Sequence, residues 1–108
     1  MTVAALTNAL GLLPVAVSDA ERRVTGGYAG DLLSWVMGRA EQNAAWITIM
    51  SNVNVVAVAQ LTDVSCVILA EGVTLDPDAA AQAKSRGVNV LSSELPAFEL
   101  CARVRALL

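Results

Sequence analysis

Short apolar runs alternate with segments of helix length along this chain, and that alternation limits its fold more than any other feature. "AWITIM" (Ala45–Met50) and "CVILA" (Cys66–Ala70) are brief, β-branched and apolar throughout. Runs without a polar face suit strands that are covered on both sides. "LPVAV" (Leu13–Val17) and "VNVL" (Val88–Leu91) read as shorter strands. Strands separated by helices of roughly ten residues imply a parallel sheet with crossover connections. The expected fold is α/β, a small mostly parallel β-sheet with helices packed on both faces. All 108 residues are expected to form one domain, 1–108.

The helix boundaries follow from capping chemistry. Thr2 caps a first helix that Gly11 stops. Asp31 reads as the N-cap of a helix placing Leu32, Leu33, Val36 and Met37 together. Asn54 reads as the cap of a helix through Val55, Val56, Val58, Ala59 and Leu61 that ends before Asp63. That helix is apolar nearly all round and is expected to be buried or to lie at an interface. "DPDAAAQAKSRG" carries the strongest local signal, with Asp76 as N-cap, Pro77 at the first helical position and Gly87 as terminator. Lys84 and Arg86 in its last turn suit the helix dipole. A final helix from about Leu95 to Ala106 is capped by Ser93, with Pro96 in its first turn. The polar segment from Ser18 to Arg23 is the expected loop.

Composition bears on what such a domain meets. Hydrophobic residues make up 56% and charged residues 16%, against the usual ~45–50% and ~25%. So few charges on a small domain imply that it buries surface beyond its own core, which favours self-association or a partner. Net charge is −3 with seven Lys and Arg, which argues against nucleic acid and against a polybasic membrane anchor. No apolar run reaches the ~18 residues of a membrane span. The first 20 residues imitate a secretory signal, but no positive charge precedes the apolar part and Thr7, Asn8 and Pro14 interrupt it. The two cysteines, Cys66 and Cys101, lie in apolar segments, and no histidine is present. Reduced core thiols in a cytoplasmic protein are the expectation, with a disulfide as the lesser alternative, and no zinc site or other metal or cofactor.

The passage "VTGGYAGDLLSWVMG" (Val24–Gly38) concentrates three glycines before an apolar helix. Ligands of open α/β sheets bind beyond the carboxyl ends of the strands. There the sequence places Ser51, Asn52 and Asn54, then Glu71 and Gly72, then Ser92 and Ser93, joined by a loop of Thr25, Gly26, Gly27, Tyr28, Gly30 and Asp31. Helix-start amides, hydroxyls and backbone accessible at glycine suit a small anion such as a phosphate. The same residues also fit a plain structural role: the glycines permit positive φ in a turn, and the Asn and Ser residues cap helices. Catalysis is not expected. No His is available, Asp31 reads as a cap, Glu71 as a loop residue facing water, and Ser51, Ser92 and Ser93 have no base partner in view. "GGYAGD" has neither the spacing of a dinucleotide fingerprint nor the Lys and Ser/Thr of a P-loop. Trp46 and Trp35 each suit a core or an interface, with Trp35 the better interface candidate beside Ser34 and Arg39.

Three segments together, "RRVTGGYAGDLLSWVMG", "AWITIMSNVNVVAVAQLTDVSCVILAEG" and "GVNVLSSELPAFEL", resemble the DRTGG domain family. The motif falls on Arg23, Val24, Thr25, Gly26 and Gly27, with Arg-Val where the family has Asp-Arg. The resemblance implies a fold like the N-terminal domain of HPr kinase/phosphorylase, the part lacking that kinase's P-loop. It implies no kinase activity. It also implies a dimerising or regulatory module, of the kind fused to phosphotransacetylases and CBS-domain pyrophosphatases. The expected protein is a non-catalytic homodimer, with Trp35, Gly27 and Tyr28 at or near the interface. An unidentified protein partner or a small anionic ligand is the further expectation, and a nucleotide or anion sensor is the alternative.

Overall fold

A computed structural model describes Met1–Leu108 as five strands and five helices. In chain order these are α1 (Val3–Leu10), β1 (Leu13–Ala16), β2 (Gly26–Ala29), α2 (Leu33–Arg39), β3 (Ala44–Thr48), α3 (Val53–Thr62), β4 (Cys66–Leu69), α4 (Pro77–Arg86), β5 (Val90–Ser92) and α5 (Ala97–Leu107). The strands form one sheet in the order β1-β5-β4-β3-β2. β2, β3, β4 and β5 are parallel, and β1 is antiparallel to β5. The α/β architecture read from the alternation is therefore the observed one.

The two-sided burial has a simple origin in the period of a strand, which sends successive side chains to opposite faces. Ala44 and Trp46 of β3, Val67 and Leu69 of β4 and Val90 of β5 pack with Val36 of α2, Val55, Val56 and Val58 of α3 and Ala79 and Ala83 of α4. Ala45 and Ile47, Cys66 and Ile68, and Leu91 pack on the other side with Val3 and Leu6 of α1 and Leu100 and Val104 of α5. The three crossover helices thus share one face, while α1 and α5 cover the other. Burial of Cys66 pushes its thiol up to about 12. Iodoacetamide near pH 8 is expected to leave Cys66 unmodified in the folded protein, and mass spectrometry after denaturation should show it newly reactive.

Several ends lie where capping chemistry put them. The Thr2 hydroxyl accepts from the Ala5 amide at 3.1 Å. Gly11 and Gly87 close α1 and α4 in the left-handed conformation, at φ 62° and 70°. α3 begins two residues earlier than expected. Asn52, not Asn54, is its N-cap, and the Asn52 side-chain oxygen accepts from the Asn54 amide at 2.9 Å. α5 begins at Ala97, because Ser93 is spent on a tight turn in which its Oγ accepts from the Leu95 amide.

Five expectations require correction. The segment read as a glycine-rich loop, Thr25–Asp31, contains β2, an edge strand paired with β3. Gly26, Gly27 and Gly30 all lack positive φ, which falls instead at Gly11, Gly72 and Gly87. Asp31 is not a cap: its Oδ1 accepts from the Thr48 hydroxyl at 2.7 Å and from the Ile49 amide at 3.0 Å. That latch ends β3 at Thr48 and leaves Ile49 45% exposed, outside the core. In α2, Val36 is buried and Leu33 partly so, but Met37 faces out with Leu32 and Trp35.

Candidate functional site

The sequence candidates separate into three places. Ser51, Asn52, Asn54 and Asp31 surround the end of β3, where each has a local task. Ser51 donates to Asp76 Oδ1 at 3.3 Å, and Asn52 caps α3. Glu71, Gly72, Ser92 and Ser93 lie beyond β4 and β5. Glu71, read as facing water, has its Oε2 accepting from the Ala97 amide at 2.8 Å, at the start of α5. Gly72 adopts φ 71° and its amide donates to the Ser93 carbonyl at 2.9 Å. Gly72, Ser92 and Ser93 line a cleft of about 240 Å³ with Leu13, Thr74 and Glu94.

Thr25 and Gly26 occupy the opposite end of the molecule, because β2 runs parallel to β3 from Gly26 to Ala29. Thr25, Gly26 and Gly27 therefore cannot complete a site with the strand-end loops, and only Gly30 and Asp31 of that segment reach the end of β3. The order of the parallel strands explains the absence of a shared crevice. They follow one another as β2, β3, β4, β5 across the sheet, with their crossover helices on one face. Crevices of the doubly wound kind arise where that order reverses, and here it does not.

What β2 offers instead is an edge. The Gly30 amide donates inward to the Ile47 carbonyl at 3.1 Å, so alternation turns the amides and carbonyls of Gly27 and Ala29 outward, away from β3. On the α2 side, the guanidinium of Arg39 lies 3.7 Å from the centroid of the Trp35 ring, and Trp35 is 53% exposed. Trp46, by contrast, is fully buried, and its indole N–H donates to the Gly30 carbonyl at 2.9 Å. A side chain at Gly30 would press on the Tyr28 ring, at 3.0 Å from its Cε2 atom.

Two hollows flank this strand. A polar one of about 310 Å³ is lined by Thr25, Gly26, Gly27, Arg39, Gln42 and Arg105, with Glu41 and Ala44. An apolar one of about 320 Å³ lies between β2 and α5, lined by Gly27, Ala29, Ile47, Cys101, Val104 and Leu108, with Tyr28 and Arg105. Neither Arg39 nor Arg105 makes an ion pair. The salt bridges of the molecule are Arg22–Asp63 and Arg103–Glu99. Arg22 and Gln42 hydrogen-bond Asp63 and hold its carboxyl below the usual range. Sequence reading missed Arg39 and Arg105. Each looks like a dipole-matching residue near a helix end, and nothing local says that α5 finishes beside the start of β2.

In overall fold the chain is similar to a solved structure of the CBS and DRTGG domains of the regulatory region of Clostridium perfringens pyrophosphatase, complexed with the activator diadenosine tetraphosphate. The TM-score is 0.73, over 94% of this chain and 44% of that one, with 11% of residues identical. This chain has the fold of a DRTGG-containing structure. The likeness is one of fold, and the chain spans less than half the length of its neighbour. No family model matches the sequence, and no curated protein matches it either. Of the candidate places, the β2 edge with its two hollows combines unpaired backbone, unpaired charge and empty volume.

Proposed function

We propose that this chain is a non-catalytic regulatory or assembly module that associates with a second copy along β2. The observation that carries the proposal is an asymmetry between the two sheet edges. β1 is blunted by Pro14 and by an irregular register between Pro14 and Ala16. Both devices discourage further pairing. β2, with the sequence Gly-Gly-Tyr-Ala, carries no proline and no charge. Beside it stand the exposed Leu32, Trp35 and Met37, apolar surface that an isologous dimer would cover. The regulatory setting of the structural neighbour agrees with this role. Light scattering across a dilution series is expected to find a dimer. Gly26→Lys, which points a charge into open space at the edge, and Trp35→Glu are each expected to weaken it about tenfold or more. A wild-type monomer at high concentration would overturn the proposal. An unchanged dimer in both variants would keep association and remove this edge from it.

A second reading, a sensor of small anions, rests on Arg39 and Arg105 meeting at one polar hollow without carboxylate partners. Guanidinium groups bind phosphate and carboxylate through paired N–H donors. The neighbouring structure holds diadenosine tetraphosphate, a polyanion, which is a property of that protein and supports the reading by analogy of fold. A saturable rise in melting temperature with a nucleotide or phosphorylated metabolite, lost in Arg39→Gln or Arg105→Gln, is the expected result. No shift with any such compound would count against it.

A further inference from the structure

Building on the sensor reading, we infer that the hollows along β2 form one site for an amphiphilic anion, its acid group at Arg39 and Arg105 and its apolar body along Gly27 and Ala29 beneath α5. The two hollows adjoin at Gly27 and Arg105, which stand in the wall of each. Their chemistry changes along the strand. At the Thr25 end the walls are polar, and Arg39 and Arg105 against Glu41 leave one net positive charge. At the Ala29 end the walls are Ile47, Val104, Leu108 and Cys101. Burial raises the Cys101 thiol above its usual range, so it stays neutral and adds to the apolar wall.

The volume exists because of residue size on one face of β2. Gly27 pairs with Ala45 and Ala29 with Ile47, so both look toward α1 and α5, where Ala45 and Ile47 pack. A Cβ on Gly27 would meet only the Ala45 carbonyl, at 3.6 Å. The glycine is not required by its backbone, since its φ is not positive. It leaves space. Each hollow is near the lower bound of ~300 Å³ for small-molecule sites. A free phosphate would leave the apolar half unfilled, and a neutral hydrocarbon would leave the guanidinium groups unused. An acid with a hydrocarbon or aromatic body uses both.

The test uses the fluorescent probe 8-anilinonaphthalene-1-sulfonate, an aromatic body with one anionic group, displaced in turn by decanoate, decanol and inorganic phosphate. The folded wild type is expected to bind the probe saturably, one per chain. Decanoate should displace it at concentrations about tenfold lower than decanol or phosphate, the weight of one charge-assisted hydrogen bond. Gly27→Val fits an edge strand and is expected to keep the melting curve while lowering probe and decanoate affinity about tenfold or more. Ala29→Leu, on the same face, is the second variant should Gly27→Val misfold. Arg105→Gln should shrink the decanoate advantage over decanol. Decanol matching decanoate, or affinity unchanged in Gly27→Val and Ala29→Leu, would overturn the inference. Stabilisation by nucleotides or phosphate with no decanoate binding would keep the sensor reading and discard this ligand class. Failure of every anion would discard both.

Discussion

Ile68→Asp is expected to abolish folding. Ile68 is fully buried in β4, the middle strand of five, with paired strands on both sides. Its side chain packs with Leu6 of α1, Leu100 of α5 and Leu91 of β5. A carboxylate there has no partner within that layer. The cost of burying it is at least several kcal/mol, comparable with the ~5–15 kcal/mol that holds a domain of this kind together. Circular dichroism and urea unfolding of the purified variant are the measurement. A soluble Ile68→Asp protein with a cooperative transition near that of the wild type would refute the central placement of β4. Ile49→Asp supplies a contrast that only the structure provides. Ile49 lies past the end of β3, exposed, and its replacement is expected to cost less than about 1 kcal/mol.

Asn89→Leu is expected to cost about 3 kcal/mol or more, despite replacing a polar residue by an apolar one of similar size. Asn89 is buried between α4 and β5. Its Oδ1 accepts from the Ser18 and Asp19 amides at 3.0 and 3.1 Å, and its Nδ2 donates to the Asp19 and Ser65 carbonyls at 2.8 and 3.0 Å. Leucine would leave these four backbone groups without their partner, and each stranded group costs ~1–3 kcal/mol where water cannot replace it. This side chain holds the start of the loop at Ser18 and Asp19 against the sheet, so hydrogen exchange should also rise at those two residues. A stability within 1 kcal/mol of wild type would mean that water takes over those bonds.

Most of the fold was legible locally, for identifiable reasons. Ala44–Thr48 and Cys66–Leu69 are apolar on both faces, and only a strand covered twice accepts that pattern. α4 carries its own boundaries in Pro77, Asp78 and Gly87. β2 was not legible. Gly-Gly-Tyr-Ala has low strand propensity, and it pairs because β3 offers a neighbour, so tertiary context overrides the local preference. Asp31 precedes an apolar helix and looks like a cap, but the end of β3 comes within reach of its carboxylate and takes it instead.

The candidate site was legible only in fragments. The sequence pointed to Thr25, Gly26 and Gly27, and to small polar residues after the strands, as unusual places. It could not say that the two groups lie at opposite ends of the sheet, since that depends on β2 being a strand and on its direction.

By itself, the sequence determined an α/β domain with a mostly parallel sheet, because side-chain period and capping chemistry act within a few residues. It also determined an unusually apolar, charge-poor surface, because 56% hydrophobic residues in 108 exceed what one small core holds. Tertiary structure alone decided which strand became the open edge. It also decided that the three crossover helices share a face, that Asn89 anchors a distant loop, and that Arg39 and Arg105 converge beside Gly27. Those outcomes depend on strand order and on where helices end in space. Both are set by the joint packing of residues far apart in the chain, which no short window of sequence records.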